Sequence, residues 1–190
     1  MSVTHKTIGA TALAVGLLMT AAVAGGQTAG EVFSATATVK TAAGGTLSVP
    51  VTISVERKMA QPEAESLVAA FKTGGAAGLR KALNGVPPTG SVRLGTGMAT
   101  PTRFTIERAT GGRLLTILTD QPLVFLGAGL PGAKPREGYD FAVIDIEVNA
   151  KGSGTGTLAP AARIRMNNGA FVVEDYGAEV VQLTAVTKTK

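Results

Sequence analysis

Residues 33–39 read FSATATV and residues 47–55 read LSVPVTISV, and the alternation in these two runs decides the fold. Phe33, Ala35, Ala37 and Val39 point one way, with Ser34, Thr36 and Thr38 pointing the other. Leu47, Val49, Val51, Ile53 and Val55 likewise oppose Ser48, Pro50, Thr52 and Ser54. Successive side chains leave an extended backbone on opposite faces, so period two with β-branched residues marks half-buried strands. Ala43-Gly44-Gly45 supplies a turn, and the two runs are expected to pair as a hairpin. Pro50 has no N–H for a ladder, which makes the second run an edge strand or bulges it there.

Downstream the period changes. Ala64, Leu67, Val68 and Phe71 recur at i, i+3, i+4 and i+7, one stripe of a helix. Pro62 suits its first turn, and Glu63 and Glu65 suit its positive end. Gly74-Gly75 stops it. A second short helix over 76–84 buries Leu79, Ala82 and Leu83, with Gly85 as its C-cap and Pro87-Pro88 barring continuation. Together they predict an αα-hairpin near residues 61–85.

Beyond residue 89 alternation returns. Phe104 and Ile106 face inward in 103–107, and 113–119 comes back after Gly111-Gly112. A short apolar run, 123–126, precedes a loop over 127–138. Residues 139–149 are expected as the longest strand, with Ala142, Ile144, Ile146 and Val148 on one face. A glycine-rich connection over 151–156 leads to 162–166, where Arg163 and Arg165 point outward against Ile164 and Met166. Asn168-Gly169 is a tight-turn signal, since Asn-Gly accepts positive φ at both central positions. Residues 171–175 are expected to pair back across that turn, Tyr176-Gly177 turns again, and 179–186 closes the chain. The fold class is mainly β (α+β): an antiparallel sandwich or partly open barrel of about nine or ten strands with the helical hairpin inserted.

The first two dozen residues have the form of a secretory signal peptide. Lys6 gives a positive start, 7–20 are uncharged around Leu13, Val15, Leu17 and Leu18, and Ala22-Val23-Ala24 places the cut before Gly25. Residues 25–190 then form one domain, either secreted or periplasmic. No later run of apolar residues is long enough to span a membrane as a helix. The formal charge of +5 falls to +4 with the loss of Lys6, and the bases are scattered, which argues against a nucleic-acid partner. The only histidine is His5, and the sequence has neither cysteine nor tryptophan. Catalysis by imidazole or thiolate, and zinc or haem sites built on those ligands, are therefore excluded for residues 25–190. No cofactor is expected. Disulfides are absent too, so the core alone stabilises the fold.

Several stretches carry possible chemistry. Gly127-Ala128-Gly129-Leu130-Pro131-Gly132 fits a dinucleotide motif, but Pro131 and Pro135 forbid the helix that the motif needs. Gly152-Ser153-Gly154-Thr155-Gly156 offers backbone amides to an anion, and equally reads as a hairpin loop. Asp145 and Glu147 leave one face of one strand about 7 Å apart, a spacing open to hydrolysis, to calcium or to a merely solvated face. Glu174-Asp175-Tyr176 forms an acidic turn with one of the two tyrosines, a candidate metal or ligand contact. Asp120 is expected to bond nearby backbone amides in a turn.

Val55-Glu56-Arg57, the helical hairpin with Leu67, Gly74-Gly75, Leu79 and Pro87, Thr119-Asp120-Gln121-Pro122 with Phe125, Tyr139-Asp140-Phe141, the glycines 152, 154 and 156, and Glu174-Asp175-Tyr176-Gly177 resemble a family of uncharacterised exported bacterial proteins. Residues 127–136 depart from that pattern. The resemblance brings no activity, cofactor or catalytic residue with it. The residues themselves point to a non-catalytic binding or structural role in the envelope or outside the cell, with an envelope protein or a glycan as partner. The ligand-contact candidates are Asp145, Glu147, Glu174, Asp175 and Tyr176. Two alternatives stand beside this: a hydrolase working through paired carboxylates, for example on glycans, and a carrier of small apolar ligands.

Overall fold

The computed structural model of the chain describes residues 30–40, 45–109, 111–123, 138–167, 170–176 and 180–190. The expectations placed on 1–24, Ala43 and Gly44, 124–126, 127–132, Asn168-Gly169 and Gly177 lie outside them. The elements run β1 (Glu31–Lys40), β2 (Thr46–Val55), α1 (Gln61–Asn84), β3 (Gly90–Leu94), β4 (Thr100–Thr102), β5 (Phe104–Ala109), β6 (Arg113–Leu118), β7 (Phe141–Val148), β8 (Ser153–Asn167), β9 (Ala170–Tyr176) and β10 (Val181–Lys188). All pairings are antiparallel, in the order β4-β3-β2-β1-β10-β8-β7-β6-β5, and β9 pairs with β8 off that path. The end strands β4 and β5 are consecutive in the chain and separated by Arg103 alone, so the sheet curls until its edges meet. Of the two architectures open to the sequence, the nearly closed barrel is the one formed.

Thr89 knits the seam. Its Oγ1 lies 3.1 Å from Thr102 Oγ1 and 2.8 Å from Thr105 Oγ1. Its N–H donates to the Thr102 carbonyl, and its own carbonyl accepts from the N–H groups of Glu56 and Arg57. All three threonines are fully buried, and a buried hydroxyl without a partner is costly.

The hairpin β1–β2 pairs in unbroken register from Glu31↔Val55 to Lys40↔Thr46. Pro50 lies one residue beyond the β3 ladder, which covers only Val51 to Val55. The second strand is thus central over 51–55 and an edge over 46–50, where the missing N–H loses nothing. Leu47 keeps the alternation but is 37% exposed, because the hairpin outruns the barrel.

Two cores result. Phe33, Ile53, Leu115, Ile144, Leu158 and Leu183 are among the side chains that fill the barrel interior. A second core lies on the outer face of β5–β8, where Met59, Leu67, Leu79 and Leu83 cover Phe104, Leu118, Phe141 and Val143. Phe104 and Ile106, expected to point inward, do so toward this second core rather than the barrel interior.

The expected αα-hairpin is a single helical element broken at Gly75, whose φ of 58° and ψ of −150° interrupt the helix. Gly78 lies so close to Ala70 that an added Cβ would be 2.6 Å from the Ala70 carbonyl oxygen, whereas a straight helix would set the two residues about 12 Å apart. The two halves therefore fold back on each other. Gly85 does cap the end, in right-handed geometry, its N–H donating to the Ala82 carbonyl while the Val86 N–H donates to that of Leu83. Arg57 fastens the start of α1 through Glu63 at 2.8 and 2.9 Å, and Arg80 fastens the second half to Asp140 at 2.8 Å. The element is not both long and apolar enough to cross a membrane.

Two expectations are corrected along β7 and β8. The longest strand is β8, of 15 residues, and most of the glycine-rich connection belongs to it. The turn is confined to 149–152. Gly154 and Gly156 are needed because β7 passes very close: an added Cβ would lie 1.7 Å from the Glu147 carbonyl oxygen and 2.4 Å from that of Asp145, respectively. Glycine at such crossings lets a small barrel bend its wall.

Candidate functional site

Alternation on three neighbouring strands builds the floor of a groove on the outside of the barrel. Phe104, Leu118 and Val143 form one row across β5, β6 and β7. Ile106, Thr116 and Asp145 form the next, and Arg108, Leu114 and Glu147 the third. Because strand twist tilts these rows, one wall is the first half of α1, through Gln61, Ala64, Glu65 and Val68. The other is the β8–β9 hairpin, which contributes Ile164, Phe171 and Val173. Two cavities of about 310 Å³ each occupy the groove, one against the helix and one against the hairpin. Arg108, Thr116 and Phe171 line both.

Phe171 is the pivot of the walls. Its ring packs edge-on against Phe71 of α1 at 5.6 Å and against Phe104 of β5 at 5.5 Å. Such edge-to-face pairs hold their geometry as well as burying area, so helix, floor and hairpin are locked at one point.

Within this apolar lining Asp145 is the half-buried charge. Burial pushes its carboxyl above the usual aspartate range, against the opposing pull of the Thr116 hydrogen bond and the Arg108 charge. Thr116 sits directly across the ladder and its Oγ1 donates to Asp145 Oδ1 at 2.6 Å. That is the one side-chain hydrogen bond the described residues give this carboxylate. Arg108 influences it from the next row without reaching salt-bridge contact.

The other candidates separate. Glu147 shares the face of Asp145 but is exposed and does not line either cavity. Glu174, Asp175 and Tyr176 end β9, the strand that supplies Phe171, with Asp175 opposite Arg163 and Tyr176 opposite Ala162 in register. Asp120 pairs with Arg103 at 3.3 Å, and beside it Thr119 accepts from the Ala142 N–H and donates to the Gln121 carbonyl. Among the described residues no three His, Cys, Asp or Glu side chains group as metal ligands.

One cluster has no counterpart in the sequence reading. Glu31, Lys58, Glu107, Arg113 and Lys188 converge from five segments at one end of the barrel. Arg113 donates to both carboxylates, at 2.7 and 3.1 Å to Glu31 and at 2.8 and 2.9 Å to Glu107. Lys188 reaches Glu31 at 2.8 Å, and Lys58 bridges both acids. Burial works to raise the Glu31 carboxyl, yet Arg113, Lys188 and Lys58 together hold it down to about 2. For Glu107 the Arg113 bond outweighs burial, with Lys58 assisting, and the result is again about 2. The Arg113 guanidinium is pushed further up by the same two partners. No spacing in the sequence signals this cluster, because only strand order brings its members together. Comparison with protein-family models, with curated proteins and with solved structures gives no match to this chain.

Proposed function

We propose that this chain is an exported, non-catalytic binding domain and that its ligand, a small and largely apolar molecule, lies in the groove between α1 and the β8–β9 hairpin. The observation that carries this reading is the pair of adjoining cavities of about 310 Å³, apolar in the main, with Arg108 and Thr116 common to both. Ligand sites combine such an apolar lining with a few placed polar groups. The barrel interior is filled by its own side chains, so the outer groove is the favoured place for a carrier's cargo. Binding is preferred over hydrolysis because the companions of Asp145 in its cavity are Thr116 and Arg108, not a second carboxylate. Export rests on the pattern of residues 1–24, and mass spectrometry of the exported protein should find an N-terminus at or near Gly25.

The binding reading is tested with Nile red, a neutral apolar dye. Wild-type protein should enhance its emission, and Ala64→Phe, which fills the cavity against the helix, should abolish most of the enhancement while circular dichroism stays unchanged. Val68→Phe provides the same block should Ala64→Phe fail to fold. Equal enhancement by wild type and a folded, blocked variant would overturn the assignment of the groove.

A further inference from the structure

We infer that the groove selects amphiphiles with a zwitterionic head, a cationic nitrogen beside an anionic group, as in an amino acid with a long apolar side chain. The inference rests on the groove being the ligand site and adds the chemistry that the site reads. Asp145 and Arg108 both line the cavity against the hairpin, with opposite charges held apart instead of closing into a salt bridge. Elsewhere the fold brings such pairs together: Arg57 meets Glu63 at 2.8 Å, Arg80 meets Asp140 at 2.8 Å and Arg113 meets two glutamates. The pair in the groove is left open, with Arg108 lining both cavities and Asp145 the one against the hairpin.

Geometry explains why the pair stays open. Asp145 is anchored by the Thr116 hydroxyl on Oδ1, which fixes the carboxylate on its row and leaves Oδ2 without a hydrogen-bond partner among the described residues. Arg108 belongs to the adjacent row, two strands away, and lines the cavity on each side. A ligand ammonium can donate to Asp145 Oδ2 while its neighbouring carboxylate accepts from Arg108. The dipole of the head then runs parallel to the field between the two side chains. A simple amine would satisfy Asp145 but meet the Arg108 charge, and a simple carboxylate would do the reverse, so each single charge is disfavoured by one wall of the site. The apolar tail lies along Ile106, Val68 and Phe171, in the cavity against the helix that Gln61 and Glu65 also line.

Calorimetric titration with 2-aminooctanoate, octylamine and octanoate, which share one chain length, distinguishes the outcomes. The zwitterion should bind about tenfold or more tighter than either single-charge probe, the gain expected from one added charge-assisted hydrogen bond. Asp145→Asn should remove its advantage over octanoate, and Arg108→Gln its advantage over octylamine. Ala64→Phe should weaken all three. Equal binding of the three probes, still blocked by Ala64→Phe, would overturn the head-group inference and leave the groove as an apolar site. Failure of every probe to bind would overturn both readings.

Discussion

Asp145 is held in the fold at a disadvantage, and that separates it from the other acids. Glu31 and Glu107 are stabilised as carboxylates by several cations in contact, whereas burial outweighs the Thr116 hydroxyl and the more distant Arg108 charge at Asp145. A residue kept in such a place for binding should be replaceable with a gain in stability. We expect Asp145→Asn, whose amide oxygen can still accept from Thr116, to raise Tm by about 2–4 °C at pH 7, corresponding to about 1 kcal/mol. A fall in Tm of similar size would make Asp145 a structural residue and deprive the groove of its polar anchor. Gly156 is the opposite case, a residue with no chemistry on which the site depends. Its added Cβ would press on the Asp145 carbonyl oxygen at 2.4 Å and on the Ile146 side chain at 2.9 Å. Gly156→Ala should therefore destabilise by about 3 kcal/mol in chemical denaturation and displace Asp145 from Thr116. Unchanged stability would mean that β7 can retreat without cost.

Among the elements, the strands were legible and their partners were not. The alternation of 33–39 and 47–55 announces β1 and β2, and even the local edge at Pro50, because strand periodicity is written residue by residue. The break at Gly74-Gly75 was equally readable, since few other residues adopt the φ of 58° found at Gly75. Burial of one face, by contrast, does not say what covers it. Phe104 and Ile106 look like any inward pair, yet they form the floor of an outer core that exists only because α1 folds across it. Of the groove, Asp145 could be singled out from its alternating strand, but Thr116 and Arg108 could not, being ordinary strand residues until register places them beside it. The seam makes the same point, as Thr89 lies 13 and 16 residues before Thr102 and Thr105 and meets them only in the folded sheet. Thr89→Val keeps the shape of the side chain but leaves two buried hydroxyls short of a partner, and should cost about 1–3 kcal/mol in urea denaturation. Thr89→Ser, which retains Oγ1, should recover most of that loss. If both variants lose the same amount, packing and not hydrogen bonding holds the seam.

At the scale of the whole molecule, the ionic cluster is what resists acid. Glu31 enters from β1, Lys188 from β10, and Arg113 and Glu107 flank the β5–β6 turn, so the cluster ties the two central strands to the β5–β6 end of the sheet. Both glutamates drop from an ordinary 4.5 to about 2 on folding. A carboxyl with a depressed folded pKa binds its proton more readily in the unfolded chain. Its stabilisation is complete above about 4.5 and is lost as the pH falls through about 2. Asp145 runs the other way: its raised pKa means that protonation on acidification favours the fold. The Tm of the wild type should accordingly fall as the pH drops below about 4.5, with proton uptake by Asp145 opposing part of the loss. Glu107→Gln should start from a lower Tm at pH 7, since Arg113 and Lys58 lose a partner, and should fall less steeply below pH 4.5. Asp145→Asn should remove that opposing contribution and leave the glutamates' part intact. Thermal melts of the three proteins from pH 7 to pH 2 would separate these behaviours. A Glu107→Gln profile parallel to the wild type throughout would show that the cluster contributes nothing to acid resistance and that other carboxylates set it.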